Sequence, residues 1–230
     1  MQTPPQATLR LARVADIHIG TLDWLTAEER HRFEGMASQE RRSSFLAGHY
    51  LARQMAAAWH DVDFGRLSVH RLADGRPCLH VDHAPSPLSL SLSHSGGWIL
   101  AGVASAPLGV DVEVPRRQRD IDALARHAFA RAEAEHLAST PNGDRLGTFH
   151  ELWALKEARG KRTGEGMLPG QSRRVQALPA TPLAAQAVSW RLGEGGAVAL
   201  ALEGVERVRL DDDGALARSR RWRFESVGPD

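Results

Sequence analysis

Two short segments of the chain combine residue types and spacings that can do chemistry. The first is Gly109-Val110-Asp111-Val112-Glu113-Val114. In an extended chain successive side chains point to opposite faces, so the three valines take one face and Asp111 and Glu113 the other. Two carboxylates placed this way form a hard oxygen site suited to Mg²⁺, which keeps several waters and is completed by substrate phosphates. Mn²⁺ accepts the same donors. The alternation also fits an ordinary solvated strand face. The second segment is Trp153-Ala154-Leu155-Lys156-Glu157-Ala158-Arg159-Gly160-Lys161. On a helix Glu157 and Lys161 are one turn apart and share a face. A carboxylate and an ammonium so placed can take and give a proton at one reaction centre. The same pair can equally serve as a plain surface contact, stabilising the helix by about 0.2–0.5 kcal/mol.

These segments need a strand and a helix to position them, and the surrounding sequence supplies both. Thr26 followed by Glu29 predicts a helix start with reciprocal capping. Phe45, Ala52 and Trp59, with Leu51 and Met55 beside them, predict a long helix with one core face. Asp74-Gly75-Arg76-Pro77 is a turn, and Leu88-Ser-Leu-Ser-Leu-Ser93 alternates as a half-buried strand should. Trp98–Val103 and the segment from Leu108 are two more strands. Residues 121–137 read as one Ala-rich helix, and Thr148–Arg162 as a second that stops before Gly164 and Gly166. Strands follow at 187–192, 197–202 and 218–224, the first two joined by a turn at Gly193-Glu-Gly-Gly196. Helix followed by strands thus occurs twice, which predicts an α+β protein in two similar halves, residues 1–107 and 108–230.

Taken together and in this order, the segments resemble the Sfp-type 4′-phosphopantetheinyl transferases. That family carries a G-[VI]-D-x-E strand, here Gly109–Glu113, and a later W-x-x-K-E-[AS]-x-x-K helix, here Trp153–Lys161, followed by G-x-G, here Gly164-Glu165-Gly166. Asp74-Gly75-Arg76-Pro77 resembles the family's G-[KR]-P loop, and Ser91-Leu92-Ser93-His94-Ser95 its S-[LI]-S-H-S segment. Phe45-Leu46-Ala47-Gly48 with Arg53, and Phe129-Ala-Arg-Ala-Glu133 ahead of Leu137, also match, so the resemblance runs from about residue 28 to 167. Two positions depart from the usual pattern: His49 stands where arginine is commoner, and Gly160 interrupts the helix at a cost of about 1 kcal/mol relative to Ala.

The resemblance implies two α+β halves about a pseudo-twofold axis, with coenzyme A in the cleft between them. It implies transfer of the phosphopantetheine arm of coenzyme A to a serine of an apo acyl or peptidyl carrier protein, releasing 3′,5′-ADP. Asp111, Glu113 and Glu157 would hold Mg²⁺, Glu157 would act as base and Lys161 would assist the departing phosphate. Arg32, Arg71, Arg76 and His94, flanked by Ser93 and Ser95, would meet the coenzyme A phosphates.

The bulk properties agree with such an enzyme. The formal net charge of the 230 residues is +1, so phosphate recognition must come from local arginine clusters, and nucleic acid is not an expected partner. Cys78 is the single cysteine, which excludes an internal disulfide and predicts a reducing, cytoplasmic setting. No apolar run is long enough for a signal peptide or a membrane span, and a monomer suffices for the two-half design. Three other readings compete. A metal-dependent phosphodiesterase could use the same acids with water as acceptor. A zinc site could draw on Cys78, His80 and His83, although that spacing is unusual. A binding module could use the basic tail Arg218-Ser-Arg-Arg-Trp-Arg-Phe224 to attract an acidic partner.

Overall fold

A computed structural model describes residues 6–115, 120–193, 195–204 and 207–228. Among these residues eleven strands form two sheets. The first sheet has the order β10-β1-β5-β4-β3-β2, from β1 (Gln6–Arg13), β2 (Leu67–Arg71), β3 (Pro77–Val81), β4 (Ala84–Ser95), β5 (Trp98–Ala104) and β10 (Arg207–Asp211). The second has the order β6-β9-β8-β11-β7, from β6 (Gly109–Glu113), β7 (Val175–Pro179), β8 (Ala187–Leu192), β9 (Gly196–Ala201) and β11 (Leu216–Ser226). Helices α1 (Ala27–Glu34) and α2 (Gln39–His60) attend the first sheet; α3 (Ile121–Ala128), α4 (Arg131–Ser139), α5 (Asn142–Thr163) and the short α6 (Pro169–Ser172) attend the second.

Strand periodicity divides the interior into three apolar layers. On β5, Ile99, Ala101 and Val103 face α2, while Leu100 and Ala104 face the other sheet. On β9, Val198 and Leu200 face the first sheet, while Ala199 and Ala201 lie under α5. The order of layers is therefore α2, first sheet, second sheet, α5. The two sheets meet through Leu9, Leu11, Leu100, Val110, Val112, Val198 and Leu200.

The α+β class expected from sequence is what the chain forms, with several differences in its elements. β10 comes from the second half of the sequence but joins the first sheet, pairing parallel with β1. The region 121–137 is two helices, because Phe129 is extended (φ −98°, ψ 151°) and buries its ring, while the Glu133 carboxylate accepts from the Ala130 amide at 2.9 Å to start α4. The Thr26–Glu29 capping box is present in both directions, at 3.2 and 2.9 Å. β4 is covered on both faces instead of one, since Ser91, Ser93 and Ser95 are buried along with Leu88 and Leu90. The residues of β8 and β9 pair through Leu192 and Gly196 as the hairpin reading requires, with Glu194 outside the described residues. The tail 218–224 is part of β11, and Trp222 is core: its indole N–H donates to Ser189 Oγ at 2.7 Å.

Two glycines in the site segments are fixed by crowding. A Cβ on Gly109 would lie 1.9 Å from the Ala158 carbonyl oxygen, so β6 and α5 touch backbone to backbone. A Cβ on Gly160 would lie 2.3 Å from the Gly166 oxygen, and the Gly166 amide donates to the Gly160 carbonyl at 3.2 Å. The glycine that looks costly within a helix is what lets the chain fold back over α5.

Beneath the first sheet's helices lies a buried ion cluster. Glu29 and Arg53 side chains are fully enclosed and 2.5 Å apart, Arg53 Nε donates to the Leu67 carbonyl at 3.0 Å, and His49 Nδ1 lies 2.6 Å from Glu29 Oε1. His49, the departure from the family pattern, is thus a cluster member stacked 4.0 Å from the Phe45 ring. Burial pushes the Glu29 carboxyl up, but hydrogen bonds from His49, Arg53 and the Thr26 amide, with the Arg53 charge, outweigh it and lower it from the usual 4.5 to about 2.

Two tests follow from these packings. Gly109→Ala should destabilise the protein by at least the roughly 1–3 kcal/mol typical of overpacking, whereas Gly143→Ala, in the first turn of α5 with open space around it, should be neutral or slightly stabilising; urea denaturation distinguishes them. The lowered Glu29 carboxyl contributes stability that is fully present above pH 4.5 and drains away as pH falls toward 2. Burial also lowers the His49 imidazole, so acidification below its usual 6.5 favours unfolding in the same direction. Glu29→Gln, which strands Arg53, should cost about 3–5 kcal/mol at pH 7 and remove the acid-dependent loss between pH 4.5 and 2. An unchanged acid profile would show that the cluster does not govern acid stability.

Candidate active site

Asp111 and Glu113 project from β6 on the face that Gly109 opens to α5, opposite Val110 and Val112 in the inter-sheet core. β6 is an edge strand, paired with β9 on one side only. Its other edge is met by the β4 serines. Ser91, Ser93 and Ser95 Oγ accept from the amides of Val110, Val112 and Val114 at 3.0, 3.3 and 3.2 Å. Ser93 Oγ also donates to Asp111 Oδ1 at 2.7 Å, and Ser95 Oγ to Glu113 Oε2 at 3.1 Å.

Lys161 reaches the same seam from α5. Its ammonium donates to Asp111 Oδ1 at 2.7 Å, to the Val110 carbonyl at 3.1 Å and to the Leu92 carbonyl at 3.5 Å. Asp111 Oδ2 is buried and has no hydrogen-bond partner. Glu157, one turn before Lys161, is half-buried; burial pushes its carboxyl up, Asp111 adds to the rise, and Lys161 opposes it. The Asp111 charge acting on Glu157 marks two carboxylates converging on one region. Among the described residues no three His, Cys, Asp or Glu side chains form a ready-made metal cluster, so Asp111, Glu113 and Glu157 are not a closed cage.

Beside Lys161 the first sheet, its two helices and the end of α5 enclose a cleft of about 490 Å³ whose walls include Arg32, His49, Arg71, Arg76 and Gly164. The arginines expected to meet phosphate thus come together from α1, β2 and the turn before β3. Arg32 Nη1 is buried without a partner, and the guanidinium sits 5.1 Å over the Phe45 ring. Burial lowers the Arg32 pKa, and the Arg71 charge lowers it further, so this wall is electropositive. Arg76 is already held, by Asp74 at 2.7 Å and by the Arg162 carbonyl at 3.3 Å, and its guanidinium lies on Gly164. His94 is exposed on β4, on the same face as the cleft residue Leu92 and one step further along. Ser93 and Ser95 point into the seam, where they bond the carboxylates and the β6 amides, while Ser91, on the same face, also borders the cleft.

Lys156, in the same helical motif, is a structural ion: it pairs with Glu133 at 2.8 Å and donates to the Ser172 and Val175 carbonyls, while Glu133 also accepts from the Ala177 amide at 2.8 Å. Glu151 performs the same office nearer the start of α5, accepting from Ser189 at 2.7 Å and from Arg220 at 3.0 Å. Sequence reading gave no role to these hubs or to Ser91. A Ser-x-Ser-x-Ser run that matches a later acidic strand residue for residue was the available signal. No described helix is long and apolar enough to cross a membrane.

Comparison with known proteins bears on what this arrangement is. The profile of the 4′-phosphopantetheinyl transferase superfamily matches residues 107–206. The 4′-phosphopantetheinyl transferase HetI of Nostoc sp. is 30% identical over 172 residues, 74% of this chain and 73% of its own length. The transferase psf-1 of Bacillus pumilus is 33% identical over 64% of this chain and 58% of its own length, and Sfp of Bacillus subtilis is 26% identical over 62% and 67%. The matched stretch contains β6, α5 and the acid–lysine seam between them, and the chain belongs to the 4′-phosphopantetheinyl transferase superfamily.

Proposed function

We propose that the seam between β6 and α5, with the arginine cleft beside it, transfers the 4′-phosphopantetheine arm of coenzyme A to a serine of an apo acyl or peptidyl carrier protein. The observation that carries this reading is the meeting of buried Asp111, Lys161 and a cleft with three arginines at the junction of the two sheets. Arg32 and Arg71 offer guanidinium donors to the phosphates of coenzyme A, and the unpartnered Arg32 Nη1 is the donor most in need of one. Arg76 orients the cleft floor through Asp74 and adds charge.

In the transfer the serine oxygen bonds to the phosphorus of the arm, the bond from that phosphorus to the bridging diphosphate oxygen breaks, and 3′,5′-ADP departs. The Glu157 carboxylate takes the serine proton; a carboxyl raised by burial and by Asp111 is a better base than an exposed one. Lys161 Nζ places positive charge where the departing phosphate gains negative charge, and Asp111 holds that ammonium in place. Little covalent work falls to the protein in such a reaction, so positioning and charge dominate.

The residues also fit a divalent cation. Asp111 Oδ2 is a buried acceptor lacking a donor, and Glu113 follows on the same face. Mg²⁺ is commonly held by one or two carboxylates and completed by phosphates and water, so a closed cage is unnecessary. Asp111 and Glu113, with Glu157 nearby, would hold it, and Mn²⁺ suits the same oxygens. When bound, the cation supplies charge neutralisation at the diphosphate.

The enzyme, coenzyme A, Mg²⁺ and a panel of apo acyl and peptidyl carrier proteins should yield carriers heavier by one phosphopantetheine group in intact-mass spectrometry. Glu157→Ala and Asp111→Ala should lose at least about a hundredfold in kcat, the lower end of what a general base contributes. Arg32→Ala should instead raise KM for coenzyme A about tenfold or more, the loss of one charged hydrogen bond. Wild-type rates in Glu157→Ala would sink the assignment of the base. Release of 3′,5′-ADP and free 4′-phosphopantetheine from coenzyme A without carrier gain would favour the hydrolase reading.

A further inference from the structure

The β4 serines divide into two kinds by what their hydroxyls do. Ser91, Ser93 and Ser95 all accept from β6 amides at similar distances, so all three join the sheets. Ser93 and Ser95 also spend their protons on Asp111 and Glu113, at 2.7 and 3.1 Å. A serine hydroxyl has one proton and two lone pairs. Receiving the Val112 amide therefore fixes the Ser93 oxygen, and the proton is left to point at the carboxylate. Ser93 and Lys161 both bind Asp111 Oδ1, and Oδ2 remains buried and unpartnered. The carboxylate is held by one oxygen so that the other is presented. Ser95 is buried and repeats the arrangement one rung along, on Glu113 Oε2.

We propose that Ser93 and Ser95 are positioning residues that fix the orientation of the Asp111 and Glu113 carboxylates toward the cation, whereas Ser91, which fastens the two sheets and borders the arginine cleft, orients no carboxylate. The inference rests on the reading of Asp111 and Glu113 as cation-holding residues. Neighbours that orient metal ligands typically contribute 10–100-fold to affinity or activity. The main-chain amide behind each serine makes this pair stiffer than a hydroxyl on a free rotor, since turning the side chain away would strand a buried N–H.

The test compares Ser91→Ala, Ser93→Ala and Ser95→Ala with Asp111→Ala and Ser93→Thr, reading Mn²⁺ affinity by electron paramagnetic resonance, thermal stability, and kcat and KM for coenzyme A. All three alanine variants should lose similar amounts of stability, because each leaves one β6 amide without its acceptor. Ser93→Ala and Ser95→Ala should bind Mn²⁺ at least about tenfold more weakly and lose kcat with little change in KM, while Ser91→Ala keeps its Mn²⁺ affinity. Ser93→Thr, which retains the hydroxyl, should restore Mn²⁺ affinity. Equal Mn²⁺ affinity in Ser91→Ala, Ser93→Ala and Ser95→Ala would overturn the inference, as would failure of Ser93→Thr to recover it. Wild-type Mn²⁺ affinity in Asp111→Ala, or none in the wild type, would overturn the underlying reading of the acids instead.

Discussion

The closeness of α5 to β6 is the constraint on which the rest of this molecule depends. At Gly109 a helix backbone and a strand backbone meet with no side chain between them. Ala154 and Ala158 on the helix and Ala199 and Ala201 on the neighbouring strand continue the thin layer. This proximity is why a lysine on the helix can reach an aspartate and a main-chain carbonyl of the strand together. It also sets Glu157 near enough to Asp111 for the Asp111 charge to push the Glu157 carboxyl up. Bulkier residues in this layer would hold the helix away and leave acid and base on separate surfaces.

The second demand on β6 is that it is an edge strand sunk inside the protein. A buried edge leaves a row of amides in need of acceptors. Pairing with another strand would satisfy them but would place a flat sheet where the reaction needs a groove. Serine hydroxyls solve the problem differently: each accepts one amide and still has a proton to give. One set of small side chains thereby closes the sheet junction and feeds hydrogen bonds to the acids. Such a polar seam rewards complete satisfaction and penalises any gap, and two of the orphan atoms, Asp111 Oδ2 and Arg32 Nη1, border the region where substrate phosphates belong in the proposed reaction.

Much of this was legible beforehand, for identifiable reasons. The valine–acid alternation of β6, the capping box of α1 and the aromatic repeat of α2 are local patterns whose period survives into the fold. The features that escaped depend on distant segments. Serines alternating with leucines suggest a wet face unless one knows that a second sheet covers it. Gly160 looks like a flaw until the return of the chain at Gly166 explains it. Helix propensity ran straight through Phe129, where tertiary burial of the ring and a carboxylate cap broke the region into two helices. His49 stood out as an irregular residue because its partner, Glu29, lies on another helix.

The parallel pairing of β1 with β10 has a consequence for synthesis. Gln6 and Arg207 are partners in the same ladder although about two hundred residues separate them. At about 5–20 residues per second, a ribosome needs about 10–40 seconds to make the chain between them. During that interval β1 can pair with β5, but its outer edge waits, presenting unclaimed amides and carbonyls to any strand that passes. The nascent enzyme thus carries a temporary adhesive margin that disappears only once β10 has been made.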